Sequence, residues 1–164
     1  MDTQKTIVIG LGNPILTDDG VGVLAARQLE QHLSPELPSW LTITEAGVGG
    51  LRLMELTLGY QRVVLIDAWY LDPDRTNPGK IHQLSLDDLR SGPPTQHSTS
   101  AHDTSLVTAL DTARALGYPV AEQFSVFAVE VENILEFGEE PTTQVAQAIP
   151  RVVELVLAEL GLAE

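Results

Sequence analysis

The sequence predicts an α/β fold, a three-layer sandwich in which one mixed, mostly parallel sheet of about five strands carries helices on both faces. Two observations carry that reading. Short runs of β-branched and aliphatic residues are continuous rather than alternating, the pattern of strands covered on both faces. Between them lie segments whose apolar residues recur roughly every three to four positions, the pattern of amphipathic helices. Such alternation implies parallel strands joined by right-handed crossovers. A length of 164 residues suits one domain with a core that needs no staples, so residues 1–164 are taken as a single unit.

Thr6 to Leu11 (TIVIGL) reads as the first strand. A helix follows, with Val21, Leu24, Ala25 and Leu29 on one face and Thr17 or Asp18 available as its N-cap. Leu41 to Glu45 is the second strand, Leu51 to Leu58 the second helix, and Arg62 to Asp67 (RVVLID) the third strand. After Trp69 the stretch LDPDRTNPG is turn-rich, and Lys80 to Leu84 is expected as a short strand at an antiparallel edge. Ser91 to Ala101 (SGPPTQHSTSA), rich in proline and hydroxyl residues, reads as a loop that delivers His102 to a helix start. Asp103 or Thr104 can cap that helix, Leu106, Leu110 and Ala109 or Ala113 face inward, and Gly117 ends it. Phe124 to Val129 is the last core strand. The closing helix begins near Pro141 and presents Val145, Ile149, Val152, Val153, Val156 and Leu160 on one face. Pro150 within it predicts a kink or a junction of two helices.

The composition excludes several classes of chemistry. With no cysteine, disulfides, thiolate metal sites and a cysteine nucleophile are ruled out, and any metal is left to oxygen and imidazole. Asp and Glu outnumber Lys and Arg by 23 to 9, a formal charge of -14. That balance serves solubility, repels nucleic acid and anionic lipid, and favours a protein partner with a cationic patch. The start MDTQKTIVIG fits neither a signal nor a transit peptide. No apolar run nears the roughly 20 residues of a membrane span. A cytoplasmic location, with neither nucleic acid nor membrane as partner, is the expectation.

In open parallel sheets, ligands bind beyond the carboxyl ends of the strands. Three polar groups are predicted there: Asp18 and Asp19 in the loop GLGNPILTDDGVG, Asp67 at the end of the third strand, and His102. Gly10 and Gly12 look like the opening of a dinucleotide fingerprint. However, Pro14, Ile15 and Leu16 stand where a pyrophosphate needs close backbone approach, and two acids at a helix entrance repel phosphate. Asp18 is assigned to the helix start as a cap or first-turn acid, which leaves Asp19 to face the cleft. Asp67 follows four aliphatic residues, so its carboxylate begins near the buried layer, where an unpaired charge costs several kcal/mol. Its plainer use is to cap a neighbouring loop. His102, just before a helix, is held in the neutral, ligating form by the helix dipole, against the plainer reading of a surface histidine. His32, His82 and His97 have less positional support. Two carboxylates and one imidazole from separate loops make an open site suited to zinc, nickel or iron. No GxSxG elbow is present, and Ser98, Ser100 and Ser105 lack an evident activating base.

Four motifs, taken in order, resemble one family. IVIGLGNPILTDDGVGV at residues 7–23, EAGVGG at 45–50, VVLIDAW at 63–69 and SAHDTSL at 100–106 are similar to the hydrogenase maturation proteases, the endopeptidases that process the large subunit of nickel-iron hydrogenases. The resemblance implies a metal-binding and catalytic set made of one acid from the first loop, one aspartate after the third strand and one histidine. On this chain these fall on Asp19, Asp67 and His102, with Asp18 as the preceding aspartate. In the family, the segment after the second strand often reads DGGTxG and is linked to choice of hydrogenase. Here Glu45 to Gly50 departs from it while keeping the turn glycines. The implied function is a C-terminal endopeptidase acting on a folded large-subunit precursor after nickel insertion. Nickel then arrives with the substrate, no permanent cofactor is expected, and the enzyme is expected to be a monomer. The alternatives are a non-catalytic nickel-sensing chaperone of the precursor and a nucleotide-binding α/β enzyme.

Overall fold

The strands are β1 (Thr6–Leu11), β2 (Leu41–Ala46), β3 (Arg62–Tyr70), β4 (Ile81–Leu84) and β5 (Gln123–Val131). They form one sheet in the order β2-β1-β3-β5-β4. The first three pairings are parallel and only β4 runs antiparallel to β5. The helices are α1 (Val21–Leu33), α2 (Gly50–Thr57), α3 (Leu86–Ser91), α4 (Ala101–Ala115) and α5 (Thr143–Leu160), and a single 3₁₀ turn, Thr17–Gly20, precedes α1. The computed structural model describes residues 4–47, 49–91 and 101–163, with the side chains of residues 101–105 outside the described set. The expected α/β sandwich with a mixed, mostly parallel sheet is the observed one.

Alternation along each strand divides the core into two layers. Val8, Val64, Ile66, Phe127 and Val129 pack against α1 and α5, whose Val21, Ala25, Leu29, Val145, Val152 and Val156 are fully buried. Ile7, Ile9, Val63, Leu65 and Val126 face the other way, onto Leu53 of α2 and Leu106 and Leu110 of α4. Each such side chain contributes about 1.5–3 kcal/mol by leaving water, which is why the continuous apolar runs are obligatory in a sheet covered on both sides. Helix α1 lies unusually close to the sheet. A Cβ on Gly22 would collide with the carbonyl oxygens of Ile66 and Leu11, and one on Gly10 with the carbonyl of Gly22. Gly10 and Gly22 therefore serve helix-to-strand approach.

Four local expectations are corrected. The third strand does not end at Asp67 but continues to Tyr70, because β5 pairs with it as far as Tyr70↔Val131. His102 does not precede its helix, since α4 already includes Ala101 and puts His102 in the first turn. Asp18 does not cap α1, whose N-cap is Gly20 without a side-chain hydrogen bond. Finally, of the two outcomes expected at Pro150, the junction of two helices does not occur: α5 is one helix of 18 residues. Pro150 sits on its exposed face, where water can take up the carbonyl it frees. The short helix α3 was not expected, and Ser85 and Asp88 form its capping box: Ser85 N–H donates to Asp88 Oδ2 at 2.7 Å, and Asp88 N–H to Ser85 Oγ at 3.2 Å. Most of the expected loop, residues 92–100, lies outside the described residues.

Candidate active site at the sheet switch point

β1 connects to β2 on one side of itself and lies beside β3 on the other. Where connections diverge like this, the carboxyl ends of the two central strands leave a crevice. Pairing between β1 and β3 stops at Gly10↔Ile66. Asp67 is the next residue, so it is the first on β3 with no β1 residue beside it. It remains level with Ala128 of β5 and is 3% exposed. Its Oδ1 accepts the Ala68 N–H at 2.8 Å. By alternation it shares the face of Val63 and Leu65, the side covered by α2 and α4.

The loop after β1 folds back on itself above that crevice. Gly12 has φ +126, and a Cβ there would collide with the Asp19 carbonyl, so only glycine permits the fold. Asn13 N–H donates to Asp19 Oδ2 at 2.8 Å, and Asp19 N–H donates to the Leu16 carbonyl at 3.0 Å. Asp19 is half-buried, in a 3₁₀ turn that touches β3. Beside this loop lies a cleft of about 250 Å³ walled by Gly12, Asn13, Pro14, Val23, Glu45, Ala46 and Gly47. Arg27 grips Glu45 there with two bonds, at 2.7 and 2.8 Å. That hydrogen-bonded pairing holds the Glu45 carboxyl below its usual range and raises the Arg27 guanidinium.

Asp18, the neighbour of Asp19, has a different use. It is fully buried, and its oxygens accept the N–H groups of Glu132 (3.1 Å), Asn133 (3.0 Å) and Thr142 (2.7 Å) together with the Thr142 hydroxyl (3.0 Å). Thr142 is the N-cap residue of α5. Asp18 thus ties the loop after β1 to the β5–α5 loop and satisfies amides at a helix start other than its own.

The first turn of α4 reaches the same end of the sheet. Tyr118 N–H donates to the Ala113 carbonyl and Gly117 N–H to that of Arg114, with Gly117 at φ +82. This Schellman closure turns the chain towards the start of β5 and leaves the first turn of α4, with the His102 backbone, at the carboxyl end. The His102 side chain lies outside the described residues. Among the described residues, no three acidic, histidine or cysteine side chains converge to hold a metal ion.

Sequence reasoning missed a second polar pair on this face. His82 Nε2–H donates to Glu130 Oε2 at 2.7 Å, Asn77 N–H donates to Glu130 Oε1 at 3.0 Å, and Trp69 stands edge-on to His82 with ring centroids 4.7 Å apart. Glu130 is 3% exposed. The pair is 48 residues apart in sequence, and only the antiparallel register of β4 on β5 brings it together. Glutamate between two valines, after the apolar run Val126–Val129, was the available signal.

Fold and site together define a doubly wound α/β protein with an acidic crevice at the switch point of its sheet. Comparison with known proteins supplies the particular family. A model of the hydrogenase maturation protease family matches residues 23–159, and the chain belongs to that family of endopeptidases. It is 27% identical to the hydrogenase 2 maturation protease of Escherichia coli (strain K12) over 96% of this chain and 91% of that protein. It is 26% identical to the hydrogenase expression/formation protein HupD of Rhizobium leguminosarum bv. viciae over 95% of this chain and 74% of that one. Its fold is similar to the solved structure of the hydrogenase maturating endopeptidase HybD from E. coli, with TM-score 0.77 and 25% identity, covering 96% of this chain and 92% of the other. Among the described residues no helix is long and apolar enough to cross a membrane.

Proposed function

We propose that this endopeptidase removes the C-terminal extension of a nickel-iron hydrogenase large-subunit precursor after nickel has been inserted, and that Asp19, Asp67 and His102 recognise the nickel. The carrying observation is topological. Asp19 lies in the turn leaving β1, Asp67 is the first residue of β3 beyond its β1 partner, and the His102 backbone opens α4 at the same end of the sheet. Two carboxylates and an imidazole suit a borderline divalent ion, and the absence of cysteine leaves thiolate ligation to the substrate. Nickel is then cargo of the precursor, and the enzyme needs no permanent cofactor. Held by Asp19, Asp67 and His102, the nickel would either supply Lewis acidity to a carbonyl or a water, or serve to dock the precursor.

Hydrolysis adds water across the C–N bond, so a base must take a proton from the water as it attacks, and the departing amine must gain one. Asp18 is excluded as that base, because both of its oxygens accept hydrogen bonds and it is fully buried. Asp19, half-buried at the crevice, is the first-loop acid left for the role. The test is to incubate purified protein with precursor carrying or lacking nickel and follow the tail by mass spectrometry. Cutting is expected only with nickel, and the variants Asp19→Asn, Asp67→Asn and His102→Ala are each expected to lose at least about 100-fold in rate. Normal cutting by these variants, or equal cutting without nickel, would sink the reading. Binding without any cutting would instead identify a chaperone.

A further inference from the structure

The β5–α5 loop does more than hold Asp18. Ile134 turns inward and packs against the core under α1 and α5, whereas Leu135 and Phe137 turn outward, 83% and 84% exposed, more than any other large apolar side chain among the described residues. Ile15, on the loop after β1, is 47% exposed beside them. Gly138 N–H donates to the Ile15 carbonyl at 2.9 Å, and Leu16 and Gly138 form a β-bridge. Leu155 lies singly on α5, and single exposed apolar residues are normal on any protein surface. Three on two cross-braced loops at the carboxyl end of the sheet are not.

Both loops are braced by hydrogen bonds. Thr17 Oγ1 donates to the Glu136 carbonyl at 2.6 Å, Thr17 N–H to the Gly138 carbonyl at 2.9 Å, and Asp18 fastens the amides of Glu132 and Asn133. The apolar surface is therefore presented rather than free to collapse, which lowers the ordering cost of binding. Next to it is a recess of about 390 Å³ whose walls include Tyr70, Ile134, Leu135 and Thr142. Charge specifies the partner. Residues 12–20 and 131–142 contain no lysine or arginine, while Glu132, Glu136, Glu139 and Glu140 stand around the apolar residues. All four are exposed.

We infer that Ile15, Leu135 and Phe137 form a docking surface for a segment of the precursor in which aliphatic or aromatic side chains are flanked by lysine or arginine. The identity of the partner rests on the function proposed above, and the surface lies at the same end of the sheet as Asp19. Apolar anchors supply affinity once desolvated, and the glutamates steer a basic segment towards them and fix its register.

The experiment uses the full chain and the nickel-loaded precursor, with binding and cutting measured separately. Leu135→Ser/Phe137→Ser is expected to weaken precursor binding and raise KM by at least about tenfold, with kcat within about twofold and an unchanged melting temperature, since both side chains are exposed. Replacing Glu132, Glu136, Glu139 and Glu140 with glutamine is expected to weaken binding at low salt and flatten its salt dependence. If the quadruple variant melts early, its salt dependence is read from Glu139→Gln/Glu140→Gln alone. Binding of the serine variant as tight as that of the unchanged chain overturns the inference, whether or not cutting occurs. So does a loss confined to self-association of this chain in sedimentation. Absence of cutting by a chain that binds precursor through these residues overturns the proposed function and leaves the docking surface supported.

Discussion

Two carboxylates, one at each end of the sheet, are held by different means. At the amino end, Glu159 of α5 meets Arg62 at 2.6 Å and accepts bonds from Ser125 at 2.8 Å and Gln83 at 3.1 Å. Burial opposes its ionisation, but the bonds from Arg62 and Ser125 outweigh that and hold its pKa below the ordinary value. At the carboxyl end, Asp18 is held by three backbone N–H groups and a hydroxyl. Neither of the segments it joins, 12–20 and 131–142, carries a cation. A carboxylate neutralised by its own arginine is finished as a structural element. Amide dipoles bring no counter-charge, and the exposed Glu132, Glu136, Glu139 and Glu140 give this end of the molecule a negative field for an incoming cation.

The strongest challenge to this contrast is Asp18→Ala. It strands three part-buried amides and a hydroxyl, each at about 1–3 kcal/mol, so a loss of about 3–5 kcal/mol is expected, seen as a melting temperature lower by about 6–20 °C. Asp19→Asn should do the reverse, with cleavage reduced at least about 100-fold, near 2.7 kcal/mol of transition-state stabilisation, and melting nearly unchanged. If the two variants gave the same pattern, the division between anchor and site acid would be wrong. Gly22→Ala tests how tightly α1 is pressed on the crevice. Helix propensity alone predicts a gain of about 1 kcal/mol, whereas collision with two backbone carbonyls predicts a net loss of about 1–3 kcal/mol, and calorimetry decides the sign.

The smallest effect is expected at the amino end. Glu159→Gln should cost about 1–2 kcal/mol at neutral pH. Because the folded pKa is depressed, the ionised form is the stabilised one. Its contribution is complete above the ordinary glutamate value of 4.5 and is lost as pH falls through the lower folded value. Melting curves of the variant and the unchanged chain should therefore converge in acid. A gap that persists there would mean that Glu159 acts by packing rather than by charge.

Most of the architecture was legible before the structure. Five strands and four of the five helices follow from apolar periodicity, because burial on two faces leaves a continuous β-branched run and burial on one leaves a helical stripe. Even the helix that was missed, α3, carried a readable signal in the capping box of Ser85 and Asp88. That Asp19 lies in the loop leaving β1 and that Asp67 ends the aliphatic run of β3 was likewise a local reading. The resemblance of four ordered motifs to the hydrogenase maturation proteases named the family that the comparison then showed.

What the chain alone could not reveal is which groups meet across it. The bonds of Asp18 span 114 to 124 residues, the continuation of β3 past Asp67 depends on the length of β5, and the His82–Glu130 pair depends on the register of an antiparallel edge. The outward turn of Leu135 and Phe137 likewise depends on two loops bracing each other. Periodicity reports whether a side chain is buried, because burial is imposed by its own element. The partner of a buried charge, and hence the choice between anchor and reactive acid, is decided only when distant strands and loops are brought into register.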